Sequence, residues 1–166
     1  MSVGFMEALA SDDLDAAGLE AGASVPADMP YDLRNFLVFR LSQLTADPSV
    51  REWLGRVMVL TDESGGREII GSIGFHGPPD DKGRVEVGYR VEPQYRRQGF
   101  ASEAIRALFD WAHATHGISR FVASIAPDNE PSLRLAEHFG FEQVGEQMDE
   151  IDGLELVFET IWPRAD

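Results

Sequence analysis

Residues 85–112 read VEVGYRVEPQYRRQGFASEAIRALFDWA, and the rest of the chain can be interpreted from this segment. Its first residues alternate between apolar and polar or small side chains, which predicts a strand buried on one face. Pro93 has no backbone N–H to donate and ends that strand. Apolar residues then recur at three- and four-residue steps from Ala101 to Ala112, as on the buried face of a helix. The segment therefore predicts a strand, a short basic turn and a long amphipathic helix.

The turn between the two elements, Arg96 to Ala101, has features of an anion-binding site. The first turn of a helix leaves backbone N–H groups without intrahelical partners and carries a partial positive charge. Gly99 and Ala101 allow a ligand to approach the backbone closely, while Arg96 and Arg97 add full charges. A loop with two solvated arginines fits the same residues, and the turn by itself does not choose between these interpretations.

Two motifs connect the chain to a known family. Arg96-x-x-Gly99-x-Ala101, in its strand–turn–helix context, resembles the [Q/R]-x-x-G-x-[G/A] signature of the GCN5-related N-acetyltransferases (GNAT). Downstream, Asn129-Glu130-Pro131-Ser132 followed by Gly140-Phe141 resembles the second signature of that family. Over residues 56–161 the chain is similar to the branch with the RimJ/RimL ribosomal-protein acetyltransferases. Both motifs in this order are specific for the superfamily but not for a substrate.

The resemblance and the order of predicted elements imply an α/β (α+β) GNAT fold. We expect a mixed, mostly antiparallel sheet, splayed at its central parallel strand pair, with helices on both faces. Residues 1–166 should form a single acetyltransferase domain. Its parts are a helical acceptor-side region at 1–54, the sheet with cofactor turn and long helix at 56–126, and a last helix and closing strands at 127–162.

The individual elements follow from periodicity and from turn residues. Helices are expected within 3–20, with breaks near Gly18 and Gly22, and at 31–46 and 130–139. Strands are expected at 56–60, 68–75, 120–126, 141–144 and 154–162. The last two strands would be joined by the acidic segment 149–153.

The resemblance also implies the reaction, which is direct transfer of the acetyl group of acetyl-CoA to a primary amine in a ternary complex. The pyrophosphate of the cofactor would bind the amides of the turn, and the pantetheine arm would lie between the two central strands. A bulge at 88–91 would direct an N–H at the thioester carbonyl. The implied cofactor-binding residues are Tyr89, Val91, Arg96, Arg97, Gln98, Gly99, Phe100, Ala101, Asn129 and Ser132.

Glu86 is the candidate general base, acting directly or through a water. The strand pattern places it on the face opposite the valines, and related acetyltransferases often have an acid at this position. An α-amino group with a pKa of about 8 needs less help to lose its proton than a lysine with a pKa of about 10.4. The alternative is a surface glutamate paired with Arg84 or with a neighbouring strand.

The last helix raises a question about the general acid. Asn129 is a favourable N-cap and, by the resemblance, a hydrogen-bond partner of the pantetheine arm. Many relatives have a tyrosine in this helix that protonates the leaving thiolate, and the matching position here is Ala136. Ser132, a second catalytic candidate, or a water would supply the proton instead, or the thiolate would leave unaided.

Composition narrows the class of protein further. The formal net charge is -15, which disfavours nucleic acid and anionic membranes as partners. There is no cysteine, and the spacing of His113 and His116 without a third ligand predicts no metal site. We expect a cytoplasmic enzyme, with a homodimer as an open option, acting on a protein N-terminus or a small-molecule amine. A CoA-binding sensor or interaction module without turnover is the alternative.

Overall fold

The computed structural model describes residues 1–149 and 153–163, leaving out the side chains of residues 30–35. The expected acidic connection at 149–153 therefore lies mostly outside the described residues. The described helices are α1 (Val3–Ala10), α2 (Leu14–Ala21), α3 (Met29–Ala46), α4 (Phe100–His116) and α5 (Glu130–His138). The described strands are β1 (Arg56–Thr61), β2 (Arg67–Phe75), β3 (Arg84–Val91), β4 (Arg120–Ile125), β5 (Glu142–Asp149) and β6 (Gly153–Ile161).

The strands form one mixed sheet in the order β1-β2-β3-β4-β6-β5. β1 is antiparallel to β2, and β6 is antiparallel to both β4 and β5. β3 and β4 are parallel, and their register covers only Arg84–Glu86 against Arg120–Val122 although both strands continue. The expected mixed α/β sheet with a central parallel pair is confirmed.

The chain divides into two compact units, residues 1–74 with 89–100 and residues 75–88 with 101–166. In the first unit, α1 packs against α2 and α3. Phe5, Leu9, Leu37 and Ile69 are among the most deeply buried side chains of that core. Burial of these side chains explains why short N-terminal helices with many acidic residues are stable here, since packing supplies most helical stability.

The second unit is built on α4, whose buried face is Ile105, Leu108, Phe109 and Ala112. The Phe109 ring stacks on Phe121 of β4 with the ring centroids 3.8 Å apart. Phe139 and Trp162 meet the same ring edge-on. This aromatic cluster holds the long helix against the strand that pairs with β3.

Most helices and strands begin and end within one or two residues of the expected positions, and the exceptions are in α2 and β5. Gly18 lies inside α2, whereas the expected break near Gly22 is present: the helix ends at Ala21, and Gly22 caps it with a left-handed φ of 61°. α3 begins at Met29 because Pro30 is tolerated in a first helical turn. β5 extends from Glu142 to Asp149, beyond the expected end at residue 144. Its side chains are mostly polar and exposed, so the sequence shows no alternating apolar pattern there.

Phe109→Ala should lower the free energy of unfolding by about 3–5 kcal/mol, because it removes a fully buried ring and leaves a cavity. Urea unfolding followed by circular dichroism measures this. Ile161→Ala in the same unit is the control, since Ile161 is 66% exposed and should change stability by less than about 0.5 kcal/mol. Equal effects of the two substitutions would contradict the central role of Phe109.

Candidate active site

Glu86 lies in β3 with its side chain opposite the buried valines. Val85 and Val87 are buried, whereas the Glu86 side chain is 29% exposed. Glu86 is also the last residue of β3 in register with β4, where it lies opposite Val122. The expected strand phase is therefore present, and Glu86 stands where the two parallel strands stop pairing.

His76, the residue after β2, is the partner of Glu86. Its backbone N–H donates to the carbonyl of Glu86 over 2.8 Å. Its ring Nδ1 lies 3.5 Å from Glu86 Oε1. Glu86 thus faces an imidazole at the end of the neighbouring strand, which is the second of the two pairings that the sequence leaves open. Local sequence does not identify His76 as the partner, because the contact joins two strands.

Arg84, the residue considered as an ion-pair partner for Glu86, pairs elsewhere. Its Nε donates to Asp80 Oδ2 over 2.9 Å, and its NH1 lies 3.6 Å from Glu159 Oε2. The bond from Arg84 lowers the pKa of Asp80 to about 2. Arg120 also donates to Glu159, over 2.6 Å. Arg84 is thereby held by two carboxylates on this part of the sheet.

The turn after β3 adopts an unusual backbone. Arg97 has a φ of 62° and Gly99 a φ of 90°, both in the left-handed region. Left-handed residues in a turn can direct neighbouring backbone N–H groups toward one point, which is a common anion-binding arrangement. A Cβ added at Gly99 would have nothing within 4 Å, so the space above this residue is open. The open glycine and the basic residues beside it suit an approaching phosphate.

Side chains around the turn hold this backbone in place. Arg96 Nε donates to the carbonyl of Val91 over 2.9 Å, which links the turn to the end of β3. Tyr95 donates its hydroxyl to Glu68 over 2.7 Å, and this bond raises the pKa of Tyr95. Gln98 donates to the carbonyl of Gln94 over 3.1 Å. The backbone of the turn is therefore held by three side-chain hydrogen bonds.

The remaining predicted cofactor residues lie at the ends of elements. Val91 is buried, Tyr89 is half-buried, and Phe100 begins α4 with Ala101 following it. Their contacts with a cofactor, and a bulge at 88–91, stay predictions. Among the described residues no group of three or more His, Cys, Asp or Glu is placed to hold a metal ion.

Asn129 caps α5, as its sequence position predicts. Its side-chain Oδ1 accepts from the backbone N–H of Ser132 at 3.3 Å. Ala136, where many relatives have a tyrosine, is buried. An alanine side chain has no proton to donate, so all three sequence alternatives stay predictions: a proton from Ser132, a proton from a water, or departure of the thiolate unaided.

No helix in the described part of the chain is both long and apolar enough to cross a membrane.

The chain was compared with known proteins. The model of the acetyltransferase (GNAT) domain matches residues 7–142. The uncharacterized N-acetyltransferase YoaA of Bacillus subtilis (strain 168) is 40% identical over 79 residues, 48% of this chain and 45% of that protein. The uncharacterized N-acetyltransferase p20 of Bacillus licheniformis is 31% identical over 103 residues, 62% of this chain and 57% of that protein. The chain spans about half the length of the curated relatives it matches.

Among solved structures, the ribosomal-protein-S5-alanine acetyltransferase of Vibrio fischeri aligns with a TM-score of 0.62 over 100% of this chain and 92% of that one. Its sequence identity is 18%, so this likeness shows the fold alone and does not confirm the RimJ/RimL-like branch. The family model covers most of the chain and includes β3, the turn and α4. The chain therefore belongs to the GNAT acetyltransferase family.

Proposed function

We propose that this protein transfers the acetyl group of acetyl-CoA to a primary amine by direct attack in a ternary complex. The backbone of the turn is the observation that carries the proposal. Left-handed residues at Arg97 and Gly99, with open space above the glycine, suit the pyrophosphate of CoA. Family membership supports acetyl-CoA as the group donor.

The acceptor amine must lose a proton before it can attack the thioester carbonyl. Glu86 is the proposed base, and its position at the end of the β3–β4 pairing supports this role. A half-buried carboxylate on the face of β3 opposite the valines is accessible to a substrate. The backbone of Glu86 is held by the bond from His76 and by its register with Val122. An oxyanion develops on the thioester oxygen, and a backbone N–H of β3 near residues 88–91 would stabilise it.

A protein N-terminus and a small-molecule amine both remain candidate acceptors. The printed name of the Vibrio fischeri neighbour refers to an alanine of a ribosomal protein, which supports testing peptides with a free N-terminal alanine. Strong negative charge on the chain favours cationic acceptors over anionic ones. Peptides and polyamines are therefore the first two classes to test.

A non-catalytic CoA-binding module is the second candidate, because the buried Ala136 supplies no general acid. Measuring thiol release from acetyl-CoA with a panel of peptides, polyamines, amino acids and aminoglycosides separates the two functions. Release above the rate of hydrolysis with at least one amine supports the acetyltransferase. Cofactor binding without release from any amine supports the module.

Gly99→Val should abolish binding of acetyl-CoA, because a β-branched side chain is strained at a φ of 90° and covers the open space above the turn. The measurement is the melting-temperature shift with acetyl-CoA, with adenosine 3′,5′-bisphosphate and ATP as comparison ligands. A ligand at one hundred times its dissociation constant stabilises the wild type by about 2.7 kcal/mol, a shift of several degrees.

Gly65→Val is the matched control for this experiment. Gly65 has a φ of 87°, also has open space around it, and lies in the turn between β1 and β2. It should lose similar stability to backbone strain but keep the shift with acetyl-CoA. An undiminished shift in Gly99→Val would refute the placement of the pyrophosphate at this turn.

Glu86→Gln should reduce kcat with the best amine of the panel by a factor of about 100 or more, since general bases contribute factors of about 100–10,000. The KM for acetyl-CoA should stay within about twofold, because the carboxylate is proposed to act on the acceptor. Glu142→Gln, on the exposed strand β5, is the control. A wild-type kcat in Glu86→Gln at all pH values removes Glu86 from the mechanism.

A further inference from the structure

The position of the His76 ring relative to β3 bears on where the amine proton goes. The His76 backbone N–H is bonded to the Glu86 carbonyl, so the start of this side chain is fixed beside β3. Nδ1 lies 3.5 Å from the Glu86 carboxylate, a distance that a small rotation of either side chain shortens to a hydrogen bond. Catalytic hydrogen bonds are often this long before substrate binds.

The other side of the ring lies over Gly88. A Cβ added to Gly88 would come within 2.8 Å of His76 Nε2 and 3.3 Å of Cδ2. Because successive residues of a strand point to opposite faces, Glu86 and Gly88 share one face of β3. The His76 ring therefore extends from the Glu86 carboxylate to Gly88. A side chain at position 88 would overlap the ring, so the ring fits here because residue 88 is a glycine.

The other charged groups of this unit near Arg84 are engaged with one another. Arg84 pairs with Asp80 of the preceding turn and with Glu159 of β6. Arg120 of β4 also pairs with Glu159. Glu86 makes no pair with Arg84, and its carboxylate faces Nδ1 of His76. His76 is 54% exposed, more than Glu86 at 29%, so its ring can exchange protons with solvent.

We propose that His76 Nε2 is the group that accepts the proton of the acceptor amine, and that Glu86 holds the ring with its proton on Nδ1. This inference rests on the proposed acetyl transfer and refines the role of Glu86, which acts through His76. A carboxylate that binds one ring nitrogen fixes the tautomer and leaves the other nitrogen as an acceptor. Imidazole changes charge near neutral pH, which suits a base that works on amines.

In the proposed acetyl transfer, the acceptor amine loses two protons, one to His76 and one to the leaving thiolate. His76 Nε2 takes one proton from the ammonium form of the acceptor, and the freed lone pair forms the C–N bond with the thioester carbonyl carbon. The C–S bond breaks with its electron pair on sulfur. The second proton of the amine reaches the thiolate through Ser132 or a water, giving CoA thiol and amide. His76 then returns its proton to solvent.

Steady-state kinetics of His76→Gln test the proposal. The expected result is a kcat at least about 100-fold below wild type, with the KM for acetyl-CoA within about twofold, and loss of the acid limb of the kcat/KM profile against pH. His113→Gln is the matched control, because His113 is an exposed histidine of α4 in the same unit. It should keep the wild-type rate and pH profile.

Gly88→Ala adds a second, independent variant. In the wild-type background its Cβ displaces the ring and should lower kcat at least tenfold. In the His76→Ala background there is no ring to displace, so the same substitution should change kcat by less than about twofold. Equal effects in both backgrounds would mean that Gly88 acts without His76, which contradicts the proposed contact.

Nitrogen-15 NMR of the histidine rings gives a readout that does not require turnover. His76 should show a protonated Nδ1 in the neutral ring of wild type, and Glu86→Ala should shift this tautomer toward protonated Nε2. A wild-type tautomer with the proton on Nε2 would overturn the assignment.

Two outcomes distinguish a wrong role for His76 from a wrong proposed function. A wild type that consumes acetyl-CoA with an amine, together with an equally active His76→Gln, overturns the role of His76 and leaves the acetyltransferase standing. A wild type that binds acetyl-CoA but acetylates no amine overturns the proposed function and, with it, the base.

Discussion

The opposite orientation of successive side chains in β3 is the constraint on which the site depends. Val85 and Val87 are buried on one face, and this burial forces Glu86 and Gly88 to the other. A shift of one residue in the pairing would bury the carboxylate and expose the valines, at a cost of several kcal/mol for the unpaired charge alone. Burial of Val85 and Val87 in the hydrophobic core thus fixes the face of β3 on which the Glu86 side chain lies.

The strand, turn and helix around the candidate site can be predicted from local sequence, whereas the contact of His76 with Glu86 cannot. Alternating valines, Pro93 and the apolar face after Ala101 predict the strand, turn and helix, because each pattern reflects a nearby backbone constraint. His76 and Glu86 are ten residues apart in sequence, and their proximity depends instead on how β2 pairs with β3. The sequence also predicts too short a strand at β5. An exposed edge strand has no buried face, so its sequence shows no alternating apolar pattern.

The turn before α4 contains a backbone conformation that costs free energy. Arg97 occupies a left-handed conformation that costs a non-glycine residue about 1–2 kcal/mol. The bonds of Arg96 to Val91 and of Tyr95 to Glu68 are made by the two residues that precede Arg97, and they help to offset that cost. An anion bound as proposed would meet a loop that these bonds already hold, which lowers the cost of ordering the loop on binding.

The exposed strand β5 has a consequence for how the protein behaves in solution. It lies at one end of the sheet, and seven of its eight residues are exposed, among them the apolar Val144 and Met148. Such an edge can pair with the edge of another molecule, and charged side chains are a common protection against this. Glu142, Glu146 and Asp149 place like charges along the strand, so two copies repel each other when their edges meet. The charges of an otherwise open edge strand therefore disfavour edge-to-edge association of two copies.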